Sequence, residues 1–132
     1  MSTVSLIEYE NASAEVRAIF DDIKKVRQVP DVNNFWKALA NHPAALERTW
    51  ESLKQVMAAG TLTELEKEMI YLAVSITNNC EYCIHSHTAS AINKGMSPAQ
   101  YAELVAVVAM AHETNAFANA MKIPVDAGFL AR

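Results

Sequence analysis

The sequence predicts an all-α fold, a single domain over residues 1–132 built as a bundle of about six helices. Apolar residues recur with helical spacing along most of the chain, and no stretch alternates with the period of two that is typical of a half-buried strand. The 132 residues contain only three glycines and four prolines. A composition that is 52% hydrophobic and 20% charged indicates a folded chain.

The first part of the chain contains three predicted helices. Residues from about 13 to 28 carry apolar side chains at helical spacing and form the first helix. A short helix around Trp36 follows, and we expect the His-Pro dipeptide at 42–43 to end it. The third helix covers residues from about 44 to 58, and Gly60 is its stop signal.

The fourth and fifth helices follow directly. Thr63 begins the fourth helix, because Glu66 three residues later completes a capping box, and this helix runs to about residue 77. The fifth begins at one of the asparagines at 78–79, either of which can cap it. Lysine and glycine at 94–95 mark its end.

The sixth helix begins at Ser97, a cap followed by Pro98, and it runs to about Met121. The fourth helix over 65–76 and the sixth helix over 101–111 are apolar on nearly all faces. Such helices need cover on all sides. Either they are central in the monomer, or a second subunit covers them, and we expect a homo-oligomer.

Charge and the apolar runs exclude several classes of partner. The formal net charge is −4, and no cluster of Lys and Arg with interleaved aromatic residues suggests nucleic acid. The first residues lack the basic start and apolar run of a secretory signal. The apolar runs are also shorter than a membrane span. We therefore expect a cytoplasmic protein with neither a nucleic acid nor a membrane as its partner.

Both cysteines lie in one short motif, Cys80-x-x-Cys83, and His87 follows four residues after the second. This pattern indicates thiol chemistry or metal binding rather than a structural disulfide framework, and in the cytoplasm such a pair is normally reduced at rest. At about 100° per residue, Cys80, Cys83 and His87 share one face of a helix. His85 points elsewhere, as a surface or interface residue.

A cysteine pair at the start of a helix is suited to redox chemistry. The free N–H groups and the positive end of the helix dipole favour a thiolate there, and His87 can hold or relay a proton. A sulfenic acid on one cysteine can condense with the other to a disulfide, and the pair also suits exchange with a partner disulfide. The motif therefore supports peroxide reduction, dithiol–disulfide exchange, or both.

Glu68 is the second candidate feature, because it lies at the edge of the apolar stripe of the fourth helix. Burial would raise the pKa of an unpaired carboxyl group in this position, and Glu68 could act as a proton acceptor for His87. The alternative is a plain salt bridge with Lys67 or Lys94, or one across a subunit interface.

Zinc binding is a further alternative. Cys80, Cys83 and His87 could supply three ligands, with Glu68 or water as the fourth. Structural zinc sites usually draw their ligands from two separate segments, and the chain has no second cysteine pair. We expect neither a metal nor an organic cofactor.

A combination of five residues carries a family resemblance: Glu68, Cys80, Cys83, His87 and Gly95. With the surrounding sequence, over roughly residues 40–120, this pattern resembles the alkyl hydroperoxidase D family, which belongs with the carboxymuconolactone decarboxylase superfamily. The pattern is much more specific than a lone CxxC pair.

The resemblance implies an all-helical subunit in a homo-trimer or homo-hexamer, with a peroxidase activity in antioxidant defence. It implies that Cys83 attacks the peroxide, that Cys80 resolves the sulfenic acid, and that His87 and Glu68 form a proton relay. A dithiol donor supplies the electrons, for which a lipoyl-bearing protein is one candidate, and a peroxiredoxin is a candidate acceptor. Helix-dipole physics alone favours Cys80 as the more acidic thiol, which leaves the roles of the two cysteines open.

The chain departs from the best-known enzyme of that family in having Tyr82, rather than a histidine, between the cysteines. It is also shorter, and closer in size to the decarboxylase branch, which does not rely on a cysteine pair. Two alternatives therefore accompany the peroxidase prediction: a carboxymuconolactone decarboxylase-type lactone enzyme, and a zinc-binding or regulatory interaction module.

Overall fold

The computed structural model describes residues 1–130, and within that range every regular element is a helix. Two short 3-10 helices lie at Tyr9–Asn11 and Ala127–Phe129. The α-helices are α1 (Ala14–Arg27), α2 (Asn34–Leu39), α3 (Pro43–Met57), α4 (Glu64–Thr77), α5 (Glu81–Asn93) and α6 (Pro98–Met121). The predicted all-α fold with about six helices is confirmed.

The chain forms two compact units, Met1–Ala58 and a second that begins at Ala59. In the first unit, α3 packs against α1 and α2. Trp36 and Trp50 meet edge to face in its core, with ring centroids 5.5 Å apart. The buried residues of this core are Ala12, Val16, Phe20, Ile23, Val32, Trp36, Ala40, Leu46 and Trp50. The prediction of one domain for the whole chain stays a prediction.

In the second unit, α4 packs along α5 and also against α6. Thr63 and Glu66 form the predicted capping box at the start of α4. Leu72 of α4 and Ala91 of α5 are both fully buried in the core of this unit. Because the side chain of Ala91 is a single methyl group, α5 can approach α4 closely. The other buried members of this core are Met96, Leu104 and Val108.

One predicted boundary in the first unit is wrong. The dipeptide at 42–43 does not end α2, which stops at Leu39, but begins α3 instead. His42 caps α3 by accepting the Ala45 N–H at its Nδ1 atom, 3.1 Å away. Pro43 is the first helical residue, where its missing N–H is no loss and its φ is already suited to the helix.

Among residues 1–130, α4 and α6 leave several apolar side chains exposed. Ile70 and Val74 of α4 are each 53% exposed, and Val107 of α6 is 68% exposed. In α6 only Leu104 and Val108 are buried. Among the residues described, no helix has the length and the hydropathy needed to cross a bilayer.

Candidate active site

The turn between α4 and α5 places the cysteine pair at a helix start. The predicted cap at Asn78 or Asn79 is wrong, because Asn78 ends α4 and Asn79 has a φ of 54°. Asparagine tolerates this left-handed conformation better than most residues. Cys80 itself is the cap of α5, and its Sγ atom accepts the N–H of Cys83 at 3.3 Å.

Cys80 and Cys83 form a disulfide, and their Cα atoms are 5.2 Å apart. Both residues are partly exposed, and Tyr82 between them is 42% exposed. The sulfur atoms lie at the N-terminus of α5, where unpaired N–H groups and the helix dipole stabilise a thiolate once the pair is reduced. The fold therefore allows the pair to close, and a redox partner could reach it.

His87 and Glu68 meet between α5 and α4. The Nδ1 atom of His87 lies 2.7 Å from Oε2 of Glu68. Both side chains are well buried, with 15% and 7% of their surfaces exposed. The contact that the sequence predicts between these two residues is therefore present. Since Cys83 precedes His87 by four residues on α5, both belong to one side of that helix.

The other carboxylate oxygen of Glu68 is also occupied. Ser90 donates its hydroxyl to Oε1 at 2.7 Å, and Lys94 donates its ammonium group to the same atom at 3.1 Å. Lys94 also donates to Ser90 Oγ at 2.9 Å. The salt bridge that was the alternative for Glu68 thus coexists with the contact to His87, and one carboxylate accepts three donors.

Glu68 is an anion in this setting. Its burial acts to raise the pKa, but the hydrogen bonds from His87, Ser90 and Lys94, with the Lys94 charge, outweigh this and lower the pKa of Glu68 to about 2. An ionised carboxylate only accepts hydrogen bonds, so the Nδ1 atom of His87 must carry a hydrogen. In the neutral ring, Nε2 is then the atom with a free lone pair.

Tyr71 covers one face of His87. Their ring centroids are 3.7 Å apart and their planes are inclined by 23°, which is a stacked arrangement. Tyr71 lies one turn after Glu68 on α4, so a single helix contacts both the edge and the face of the imidazole.

The remaining predicted residues are arranged as follows. His85 is exposed, as the helical projection predicts. Gly95 follows α5 with a φ of 101°, a conformation that glycine adopts freely. Within residues 1–130, no group of three or more His, Cys, Asp and Glu side chains is arranged to hold a metal ion.

Two contributors were missed by the sequence prediction, Ser90 and Tyr71. A signal for Ser90 existed, because Cys83, His87, Ser90 and Lys94 follow one another at intervals of four, three and four residues along α5. That spacing defines one stripe on the helix. Tyr71 follows Glu68 by three residues and so lies on the same side of α4. Its contact with His87, however, depends on how α4 and α5 pack.

Comparison with known proteins identifies the family. The profile of the carboxymuconolactone decarboxylase family matches residues 43–126. The chain belongs to this family. A crystal structure of an alkylhydroperoxidase AhpD core from Rhodospirillum rubrum is 52% identical to this carboxymuconolactone decarboxylase family member. It superposes with a TM-score of 0.96, and the match covers 100% of this chain and 99% of the other.

Two curated proteins are more distant relatives. An alkyl hydroperoxide reductase AhpD from Anaeromyxobacter dehalogenans is 27% identical over 106 residues, which are 77% of this chain and 57% of that protein. An (R)-2-haloacid dehalogenase from Pseudomonas putida is 25% identical over 105 residues, which are 80% of this chain and 35% of that protein. The chain thus spans about a third of one relative and just over half of the other. The family membership supports a peroxidase-like or decarboxylase-type activity.

Proposed function

We propose that this chain is a thiol-dependent hydroperoxidase and disulfide reductase whose catalytic residues are Cys83, Cys80, His87 and Glu68. The observation that carries the proposal is the cysteine pair at the start of α5, followed on the same helix by an imidazole that a buried carboxylate holds at 2.7 Å. The similarity to the AhpD core from Rhodospirillum rubrum supports the same chemistry.

The reaction begins with the reduced pair. Cys83 gives its thiol proton to Nε2 of His87, and its thiolate attacks one oxygen of the peroxide. A sulfur–oxygen bond forms and the oxygen–oxygen bond breaks. The leaving alkoxide or hydroxide takes up a proton, which His87 can return. Cys83 is then a sulfenic acid, and attack by Cys80 forms the disulfide and releases water.

Glu68 acts as an anchor for His87 in this scheme. With its pKa lowered to about 2, the carboxylate does not keep a proton near neutral pH. It holds the hydrogen on Nδ1 and so leaves the lone pair of Nε2 to accept a proton. When His87 becomes an imidazolium, the adjacent negative charge stabilises it. The relay thus moves protons between Cys83 and His87, while Glu68 fixes the ring and its charge.

The cycle closes by thiol–disulfide exchange. An external dithiol attacks the disulfide of Cys80 and Cys83, becomes a disulfide itself, and returns both cysteines to thiols. A lipoyl-bearing protein suits this role as donor, and a peroxiredoxin disulfide is the acceptor in the disulfide-reductase activity. We place these reactions in antioxidant defence in the cytoplasm.

We also propose that the chain assembles as a homo-trimer or homo-hexamer. The support is the exposed apolar surface of α4 and α6, where Ile70, Val74, Val107 and Met110 are each more than half exposed in the single chain. So much apolar surface on neighbouring turns is unusual for a monomer. Light scattering at micromolar concentration should give three or six times the chain mass, and a stable monomer would contradict the proposal.

Peroxide consumption tests the proposed activity. The protein is supplied with dihydrolipoamide and with hydrogen peroxide or an organic hydroperoxide, and we expect multiple turnovers above the rate of the dithiol alone. Failure to consume any of these peroxides would overturn the proposal. The family match favours a lactone decarboxylase as the second candidate, and release of carbon dioxide from carboxymuconolactone, with no effect of removing the cysteines, would favour it instead.

A further inference from the structure

We infer that Tyr71 is a positioning residue for His87, which makes it the second support of that ring beside Glu68. This inference rests on the proposed function. Tyr71 stacks on the imidazole with a centroid distance of 3.7 Å and an inclination of 23°. This contact is independent of the hydrogen bonds that hold Glu68. It fixes the plane of the ring, whereas Glu68 fixes one of its edges.

A single hydrogen bond leaves the orientation of an imidazole poorly defined. The χ2 angle of histidine has a broad energy profile, so a ring that is held only at Nδ1 can tilt about the bond to Glu68. That tilt would swing Nε2, the atom that exchanges a proton with Cys83. A parallel aromatic ring against one face opposes the tilt. Proton transfer depends steeply on such geometry, since small displacements of reacting groups slow catalysis.

Core packing does not account for Tyr71. The side chain is 36% exposed, whereas the next residue, Leu72, is fully buried and supplies the contact with the core. In the single chain, Tyr71 therefore lies at the rim of the second unit, over the buried imidazole and next to the exposed Ile70 and Val74 of α4. A replacement there removes the ring contact and leaves the core of α4 and α5 in place.

The stacked ring has a further effect on the charged imidazole. The face of an aromatic ring carries partial negative charge and attracts cations, so Tyr71 stabilises the imidazolium that forms when Cys83 loses its proton. The charged groups already bonded at this site are Glu68 on α4 and Lys94 after α5. Lys94 bonds to the carboxylate and not to the imidazole. The ring of Tyr71 adds to the attraction that Glu68 exerts on the imidazolium.

Two variants of the full chain separate the ring from its hydroxyl group. Tyr71→Phe keeps the aromatic face, and Tyr71→Leu replaces it with a smaller aliphatic side chain. We expect Tyr71→Leu to lower kcat about three- to tenfold with little change in KM for the peroxide, and Tyr71→Phe, which keeps the ring contact, to lose clearly less. The alkylation rate of reduced Cys83, measured against pH in a Cys80→Ser background, should shift to higher pH only with Tyr71→Leu.

Nitrogen-15 NMR of the His87 ring provides a readout that needs no peroxidase activity. We expect the wild type and Tyr71→Phe to give sharp signals of the Nδ1–H tautomer. Tyr71→Leu should keep this tautomer, because Glu68 is unchanged, but its ring signals should be broadened by exchange among tilted orientations. Unchanged signals and an unchanged alkylation profile in Tyr71→Leu would overturn the inference, as would a Tyr71→Phe variant that behaves like Tyr71→Leu. If the wild type consumes no peroxide, the proposed function fails, whereas the NMR and alkylation results still decide the role of Tyr71.

Discussion

Among residues 1–130, each of the two compact units buries one charged side chain, and the two charges are neutralised by similar means. In the first unit, Lys37 has a side chain that is 10% exposed and donates to Glu8 and Asp31, each at 2.7 Å. In the second unit, Glu68 has a side chain that is 7% exposed and accepts from His87, Ser90 and Lys94. A buried charge is costly unless it is paired in this way.

The two clusters differ in what the partners can do. The hydrogen bonds to Asp31 and Glu8 raise the pKa of Lys37, and the bond from Lys37 lowers the pKa of Asp31. Neither group therefore exchanges a proton near neutral pH. Glu68 instead holds an imidazole that has a second nitrogen and follows Cys83 by four residues. Burial of a charge is thus a weak indicator of function by itself. The chemistry of its partner decides whether the pair can take part in proton transfer.

The largest difference between the clusters should appear when each charge is removed. Glu68→Gln keeps the shape of the side chain but removes the charge that stabilises the imidazolium, so we expect peroxide turnover to fall by about 10²- to 10⁴-fold. Lys37→Met is the matched control. It should lower the midpoint of urea unfolding and leave turnover per folded molecule unchanged. Similar losses of turnover in both variants would remove the distinction.

Acid unfolding should reveal a smaller effect at the Glu68 cluster. The pKa of Glu68 is lowered from 4.5 to about 2 on folding. The stability that it contributes is therefore complete above pH 4.5 and is lost as the pH falls through 2. Lys94→Met removes one of the groups that lower this pKa, so the acid unfolding midpoint should rise by about half a pH unit. Lys94→Arg keeps the positive charge and should behave like the wild type. Identical acid profiles for Lys94→Met and the wild type would contradict the role of Lys94.

The helices of this chain could be predicted because local signals mark them. The capping boxes at Thr63 and Ser97 fix the starts of α4 and α6. The local signals failed where the same residue type is common both at a helix end and at a helix start or in a turn. Pro43 was expected to end a helix but begins one, and the asparagines at 78–79 form the turn before α5 while Cys80 caps it.

The candidate site was predictable where it depends on one helix. The stripe that joins Cys83 and His87 follows from helical spacing alone. The contact with Glu68 was expected because a carboxylate on an apolar helix needs a partner. Lys94 was named as a possible salt-bridge partner of Glu68, but Ser90 was not, since both reach the same oxygen only at the observed packing of α4 and α5.

In the proposed reaction, Cys80 and Cys83 reduce an organic hydroperoxide to an alcohol and water, or hydrogen peroxide to two water molecules, while they form a disulfide. Intact mass and free-thiol count of the reduced protein are measured before and after one equivalent of peroxide. We predict the loss of two hydrogens and of both thiols, with no oxygen retained. Cys80→Ser should retain one oxygen as a sulfenic acid on Cys83, which dimedone captures. Dimedone labelling of Cys80 in Cys83→Ser would exchange the two roles, whereas an unchanged mass and thiol count in the wild type would contradict the proposed reaction.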